Sequence, residues 1–365
     1  MRVPYVNLGV QYKEIKDDIL KDISELLDSG QFILGDAVTD FEKEISKLSR
    51  AKFALGLNSG TDALILAMKA LGIGKGDEVI VPPNSYLATA STVALVGAKP
   101  VFADVKVDFN IDPEEIKKKI TSKTKAIVAV HLTGRPADMD EIMSIAKEHE
   151  LHVLEDAAQA IGAEYKGQPV GAIGIAGGFS LHPLKNLGAP GDGGVMVTNS
   201  EEVYDYCVKA RNHGLKDRNT CEFWSYNSRL DTISAVVLLH KLKKLKDWNR
   251  RRNEIAQIYN DSLRNFVKVP EITDDRFSVY HTYIIQTDKR DELMNYLSSN
   301  DIDSKIHYPI PIHLQPAAEY LGNKEGDYPV TEYQRDRILS LPVYPELTDD
   351  QLNKVISAIT DFFNK

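Results

Sequence analysis

Phe179–Gly194 reads FSLHPLKNLGAPGDGG and sets a single lysine, Lys185, between an apolar run and a glycine-rich turn. The residues leading into it, GIAGGFSL, are small or apolar and read as a strand delivering its end to a site. After it, Gly188, Gly191, Gly193 and Gly194 let the backbone turn sharply and approach a ligand closely, because glycine has no side chain to clash. A lysine held there, out of bulk water, can lose its proton near neutral pH and attack a carbonyl, which is Schiff-base chemistry. Taken alone, it is one of 44 lysines and arginines, most of which are solvated surface charges.

A second stretch, His152 to Ala160, reads HVLEDAAQA. It has the pattern of a buried strand (Val153, Leu154) that ends at Asp156, with Gln159 three residues on. A pyridoxal phosphate enzyme needs a lysine to condense with the cofactor and a carboxylate against its pyridinium nitrogen, which keeps the ring protonated and electron-withdrawing. Gln159 has the reach to hydrogen-bond the ring hydroxyl. A third stretch, LNSGTDAL at Leu57 to Leu64, reads as a helix N-terminus. Such a terminus is either an ordinary cap or a phosphate site built from free N–H groups and the helix dipole.

The three stretches in this order resemble the DegT/DnrJ/EryC1/StrS sugar aminotransferases, a branch of fold-type I pyridoxal phosphate enzymes. The matching features run from PYVNLGVQY at Pro4 to HYPIPIHLQ at His307, and SGTDAL, EDAAQ and HPLKNLGAPGDGG carry most of the likeness. The resemblance implies an α/β fold with a mostly parallel central sheet flanked by helices and a smaller α+β C-terminal lobe. We expect residues 1–245 to form the large cofactor-binding domain and 246–365 the small one. The implied reaction moves an amino group from L-glutamate to a nucleotide-linked keto-sugar, with pyridoxal 5'-phosphate as cofactor and pyridoxamine 5'-phosphate as its intermediate form. Lys185 would be the catalytic residue. Cofactor contacts would come from Gly60 and Thr61 at the phosphate, Asp156 and Gln159 at the ring, Tyr86 stacked on it, and Ser180. The motif WSYNSRLDTISAVVL resembles one whose asparagine, here Asn227, reaches the phosphate of the neighbouring subunit, which implies a homodimer with active sites at the subunit interface. His307, Tyr308 and His313 resemble residues that line the sugar pocket, and Arg229 is either an anion contact or a structural ion-pair partner. Ser234 departs from the family pattern, where many relatives carry glutamine. Sugar dehydratases of the family replace the lysine with histidine, so Lys185 favours aminotransfer over that alternative. A non-catalytic cofactor-binding member and a lyase acting on amino acids alone are the other readings.

Composition bounds the rest. A chain of 365 residues with 43% hydrophobic and 27% charged residues is globular and long enough for two packed lobes. The net charge of −9 argues against a nucleic-acid binder or an anionic-membrane binder. The two cysteines, Cys207 and Cys221, have neither zinc nor disulfide spacing. MRVPYVNLGVQYKEIKDD lacks the apolar core of a signal peptide, and no run nears the roughly 20 apolar residues of a spanning helix. A cytoplasmic protein, free of membrane and metal, is therefore expected.

From Phe53 onward short apolar runs alternate with helical patterns, which is the signature of a largely parallel sheet buried on both faces. Asn58, Pro82 to Tyr86, His131, Asp156 and Lys185 all fall at or just past such runs, where ligands gather in this architecture. His131 is either structural or borders the pocket. The glycines of LGIGKGDEVIV precede a strand, so they are no dinucleotide fingerprint, and SGTDAL lacks a P-loop lysine. The basic helical run Lys241 to Tyr259 reads as a solvated face, or else as a patch that draws in an anionic nucleotide-sugar. SVYHTYIIQ alternates like a strand, and DDQLNKVISAITDFF has the period of an amphipathic helix.

Overall fold

The computed structural model describes residues 1–365. Two outer helices come first, α1 (Lys16–Ser29) and α2 (Asp36–Ser49). The first stops at Gly30, whose φ of 68° is the left-handed conformation that glycine adopts without strain. A seven-stranded sheet follows, built from β1 (Phe53–Leu57), β2 (Glu78–Val81), β3 (Lys99–Phe102), β4 (Thr124–Val130), β5 (His152–Asp156), β6 (Ala176–Ser180) and β7 (Gly194–Thr198). Its order is β1-β7-β6-β5-β4-β2-β3. Only β7 runs against the rest, pairing antiparallel with β1 on one side and β6 on the other. The expected mostly parallel α/β sheet is borne out.

Strands buried on both faces must be apolar through their middles, and β2 (Val79–Val81), β4 (Ala126–Val130) and β5 (Val153, Leu154) meet that demand. Ile80, Ile127 and Val153 enter one core, while Val79, Val81, Val128 and Leu154 enter the core on the opposite face. This is the period-2 alternation of strand side chains. Helices α3 (Gly60–Ala70) and α4 (Leu87–Leu95) cover the second face. The carboxyl ends of the parallel strands share one edge, where Val130 pairs with Asp156 and Asp156 with Gly178.

Helix α5 (Thr232–Leu263) is 32 residues long and joins the two cores. Its Leu245 packs in the core of the large sheet, whereas Ile255, Ala256, Tyr259 and Leu263 belong to a C-terminal core. That second core also contains the hairpin-like pair β8 (Tyr283–Gln286) and β9 (Ile338–Leu341), the final helix α6 (Asp349–Phe363), and Val3 from the N-terminus. Position 245, where the large domain was expected to end, therefore lies inside a continuous helix. Two expectations need correction. The basic run from Lys241 is not uniformly solvated, because Lys241 and Arg252 are buried. SVYHTYIIQ is a strand only from Tyr283, since Tyr280 has a φ of 43° that breaks the extended run. No helix is long and apolar enough to cross a membrane.

Candidate active site

Lys185 sits in the loop between β6 and β7. The loop folds back on itself through Leu181 N–H to Gly193 O (2.8 Å), Lys185 N–H to His182 O (2.8 Å) and Ala189 N–H to Leu181 O (2.7 Å). None of its four glycines has a positive φ, and three of them, Gly188, Gly193 and Gly194, act by close approach, whereas Gly191 has open space around it. A Cβ on Gly188 would lie 2.4 Å from Pro183 O, and one on Gly194 2.1 Å from Ser59 C. Withdrawal from water lowers the Lys185 pKa from 10.5 to about 8, with the Asp156 carboxylate pulling the other way. The free-amine fraction near neutrality is thereby raised on the order of a hundredfold.

Asp156 closes β5 and is buried. Its Oδ2 accepts a 2.6 Å hydrogen bond from Thr89 Oγ1, and its Oδ1 accepts from Ala158 N–H at 3.2 Å. Thr89 in turn shares a 2.8 Å hydrogen bond with Ser85. Both donors to the carboxylate are neutral, so its negative charge is left for a cationic ring N–H. Gln159 Oε1 accepts from Thr133 N–H (2.8 Å), and its Nε2 donates to Tyr308 Oη (3.3 Å). The amide is thus oriented, with a second Nε2 hydrogen to spare. The Tyr86 and Tyr308 rings lie 5.7 Å apart, and Tyr86 is exposed.

At the opposite end, Ser59 caps α3 by accepting from Asp62 N–H at 3.1 Å. Ala63 N–H bonds Ser59 O, which leaves the N–H groups of Gly60 and Thr61 open at the helix N-terminus. A Cβ on Gly60 would meet Ser180 Cα at 3.1 Å. Gly60, Ser180 and Gly194 therefore pack backbone to backbone into a shallow cradle that side chains would fill. Such a cradle at a helix N-terminus suits a phosphate, Asp156 suits a pyridinium, and Lys185 suits an aldehyde, so the residues fit pyridoxal phosphate.

The remaining residues singled out from the sequence divide. His307 belongs with the lysine: its Nδ1 bonds Ser340 Oγ at 2.9 Å, and burial followed by the Lys185 charge depresses its pKa to about 4. Asn227 is exposed, and its backbone bridges Asn212. Arg229 donates to Asn212 Oδ1 at 3.0 Å. His313 has other neighbours: it is buried between Phe102 and Tyr328 with its Nε2 3.1 Å from Glu332. His131 is structural. Its Nδ1 accepts from Ala137 N–H (3.0 Å), so Nε2 carries the proton and donates to Glu155 (2.9 Å). Glu155, wholly buried, also accepts from the N–H groups of Gly171, Ile173 and Gly174.

Three residues were missed by sequence reasoning. Ser85 directly precedes Tyr86 and Thr89 lies in the first turn of α4, and small hydroxyls in such a stretch carry no signal of their own. His281 was absorbed into an apparent strand. Burial, followed by the charge of Lys185, keeps it neutral with a pKa well below the usual histidine range, and its Nδ1 is buried without a partner.

A model of the DegT/DnrJ/EryC1/StrS aminotransferase family matches residues 13–360. A pleiotropic regulatory protein of Geobacillus stearothermophilus is 44% identical, over 100% of this chain and 99% of that protein. The dTDP-3-amino-3,4,6-trideoxy-alpha-D-glucose transaminase of Streptomyces venezuelae is 40% identical, over 99% of this chain and 96% of its own. Among solved structures, S. venezuelae DesV in complex with a ketimine intermediate superposes with a TM-score of 0.97, at 40% identity and over 100% of this chain and 99% of that one.

Proposed function

The chain belongs to the DegT/DnrJ/EryC1/StrS aminotransferase family and is a pyridoxal phosphate-dependent aminotransferase, and from that premise we propose that it transfers the amino group of L-glutamate to a nucleotide-linked keto-sugar. The observation that carries the site assignment is the convergence of the Lys185 loop, the buried Asp156 held by neutral donors only, and the open N-terminus of α3 packed on Ser180 and Gly194. When bound, the cofactor supplies an aldehyde that condenses with amines and a ring that acts as an electron sink. Lys185 Nζ, as the free amine, takes and returns the proton at the carbon that carries the amino group. Asp156, oriented by Thr89, holds the ring nitrogen protonated. Gln159 would donate to the ring hydroxyl, Tyr86 would cover the ring, and Gly60, Thr61 and Ser180 would hold the phosphate. His307 and Tyr308 face the sugar, with Arg229 and His313 as further contributors from the sequence pattern.

The working unit is a homodimer in the cytoplasm, with the large domain ending within α5 near residue 245. Trp224 is 94% exposed, and Tyr226, Phe32 and Ile33 expose apolar surface as well. A tryptophan left almost wholly in water has the chemistry of an interface anchor, the residue type enriched at the centres of protein–protein contacts. Asn227 lies in the same segment and would reach the neighbouring phosphate from there.

The test is a two-stage assay. Purified protein loaded with pyridoxal phosphate is given L-glutamate, and 2-oxoglutarate release is measured by mass spectrometry. The aminated protein is then freed of glutamate and given TDP- or UDP-linked keto-sugars, and the amino-sugar is sought. A stoichiometric first stage and a product in the second support the reading. Absence of 2-oxoglutarate would sink the donor assignment, and release without any sugar product would sink the acceptor.

A further inference from the structure

We propose that Lys241 and Asn249 of helix α5 are positioning residues for Lys185, clamping the turn just beyond the lysine, Lys241 through the Gly188 carbonyl and Asn249 through the Asn186 side chain. The inference rests on the role given to Lys185 above. Lys241 Nζ donates a 2.5 Å hydrogen bond to Gly188 O, three residues beyond Lys185. Asn249 Oδ1 accepts from Asn186 Nδ2 at 2.9 Å, and the same Asn186 amide donates to Val279 O, also at 2.9 Å. Asn249 Nδ2 donates to Ile161 O (3.0 Å), which ties that asparagine to the segment after Gln159. Positions 241, 245 and 249 recur every four residues, so one buried helix face carries both clamps, about 12 Å apart along the axis.

Lys241 is 1% exposed, and its ammonium lies 5.1 Å from the centre of the Tyr12 ring and 5.9 Å from that of Trp248. Burying a cation against one carbonyl and two aromatic faces, with the Glu346 carboxylate only partly offsetting the lost water, is costly compared with burying an apolar side chain of equal length. What the cation contributes is direction: it fixes one carbonyl of a turn that has no room to rearrange, because Gly188 already abuts Pro183 O. The turn therefore takes its place from the helix, and Lys185 takes its burial from the turn. A loosened turn would admit water to the Lys185 amine and return it toward ordinary lysine behaviour.

The experiment compares wild type with Lys241→Met, Lys241→Gln and Asn249→Leu. In apo protein, the pH dependence of acylation of Lys185 is read by peptide mass spectrometry, with hydrogen exchange of residues 182–189. The holoenzyme gives kcat and KM for L-glutamate. Lys241→Met is expected to move the Lys185 reactivity midpoint upward, to speed exchange in the loop, and to lower kcat about tenfold or more while KM shifts less. Lys241→Gln, which retains an N–H donor, is expected to recover part of each effect. A variant with a lower melting temperature but a wild-type Lys185 midpoint, exchange pattern and kcat would overturn the proposal and leave only a structural role. Should Lys241→Met fail to fold, Asn249→Leu carries the same test. Borohydride reduction of wild-type holoenzyme, followed by peptide mapping, separates the two readings. A label on any lysine other than Lys185 defeats the site assignment itself, while a label on Lys185 with unaffected variants defeats only the clamp.

Discussion

Thr89 Oγ1 donates to Asp156 Oδ2 at 2.6 Å, and this one contact joins helix α4 to the end of β5 at the centre of the site. Thr89→Val keeps the shape and removes the donor. A hydrogen bond to a charged acceptor contributes about 1.5–3 kcal/mol, so a stability loss of that size is expected in urea titration. In the holoenzyme kcat should fall about tenfold as the carboxylate loses its orientation. Unchanged single-turnover rates would show that Asp156 is held well enough by Ala158 alone.

The pKa of Lys185 makes a statement about apo-protein stability. Its folded value of about 8 lies below the unfolded 10.5, so below pH 8 the fold carries the cost of a protonated, buried amine. That cost fades between pH 8 and 10.5, where only the unfolded chain still binds the proton. Lys185→Met should therefore be more stable than wild type at pH 7, by on the order of 2 kcal/mol or less given partial solvent access. The gain should vanish by about pH 10.5. Paired urea melts at the two pH values check this, and a difference that stays constant with pH would contradict it.

Gly194→Ala should separate the lysine loop from the phosphate cradle, because the added methyl would lie 2.1 Å from Ser59 C. A backbone neighbour cannot swing aside as a side chain does, so a destabilisation of about 3 kcal/mol or more is expected. Fluorescence titration with pyridoxal phosphate should show weaker binding in whatever fraction folds. Gly191→Ala is the control, with open space around its Cβ position. Equal effects at the two positions would argue against the cradle.

Trp224→Glu tests the proposed dimer. Placing a charge where the most exposed large apolar side chain stands should weaken self-association at least about tenfold. Sedimentation velocity across a concentration series reads this directly. A monomeric wild type, or an unaffected variant, would remove Trp224 from the interface.

Much of this site was legible because its chemistry lies at the ends of periodic elements. Lys185, Asp156 and Gln159 could be aligned on one edge once the alternation of apolar runs implied a parallel sheet. The antiparallel course of β7 was not legible, since strand pairing joins residues far apart in sequence and local pattern carries no record of direction. Lys241 and Arg252 were hidden for a related reason. Charges in a basic helix read as solvent-facing until another element covers them, and here the covering carbonyls come from Gly188, Tyr280 and Val343. His131 stood between two roles that differ only in its partners. Glu155, the residue before Asp156, decided it by occupying the imidazole from inside the fold.

Because β7 returns antiparallel beside β6, with Ser180 opposite Gly194, the catalytic lysine occupies the tip of a long hairpin closed by main-chain pairing. The span 181–193 is consequently constrained in length, and in sequence its freedom is confined to the exposed positions, such as His182, Leu184, Pro190 and Asp192. One residue inserted or removed would have to bulge out or slide Gly194 off both Ser180 and Ser59, and a one-step slip would turn the β7 side chains onto the wrong face. Redesign of this enzyme's specificity around the lysine can therefore proceed by exchange of side chains, whereas lengthening that hairpin would unmake the phosphate site at its base.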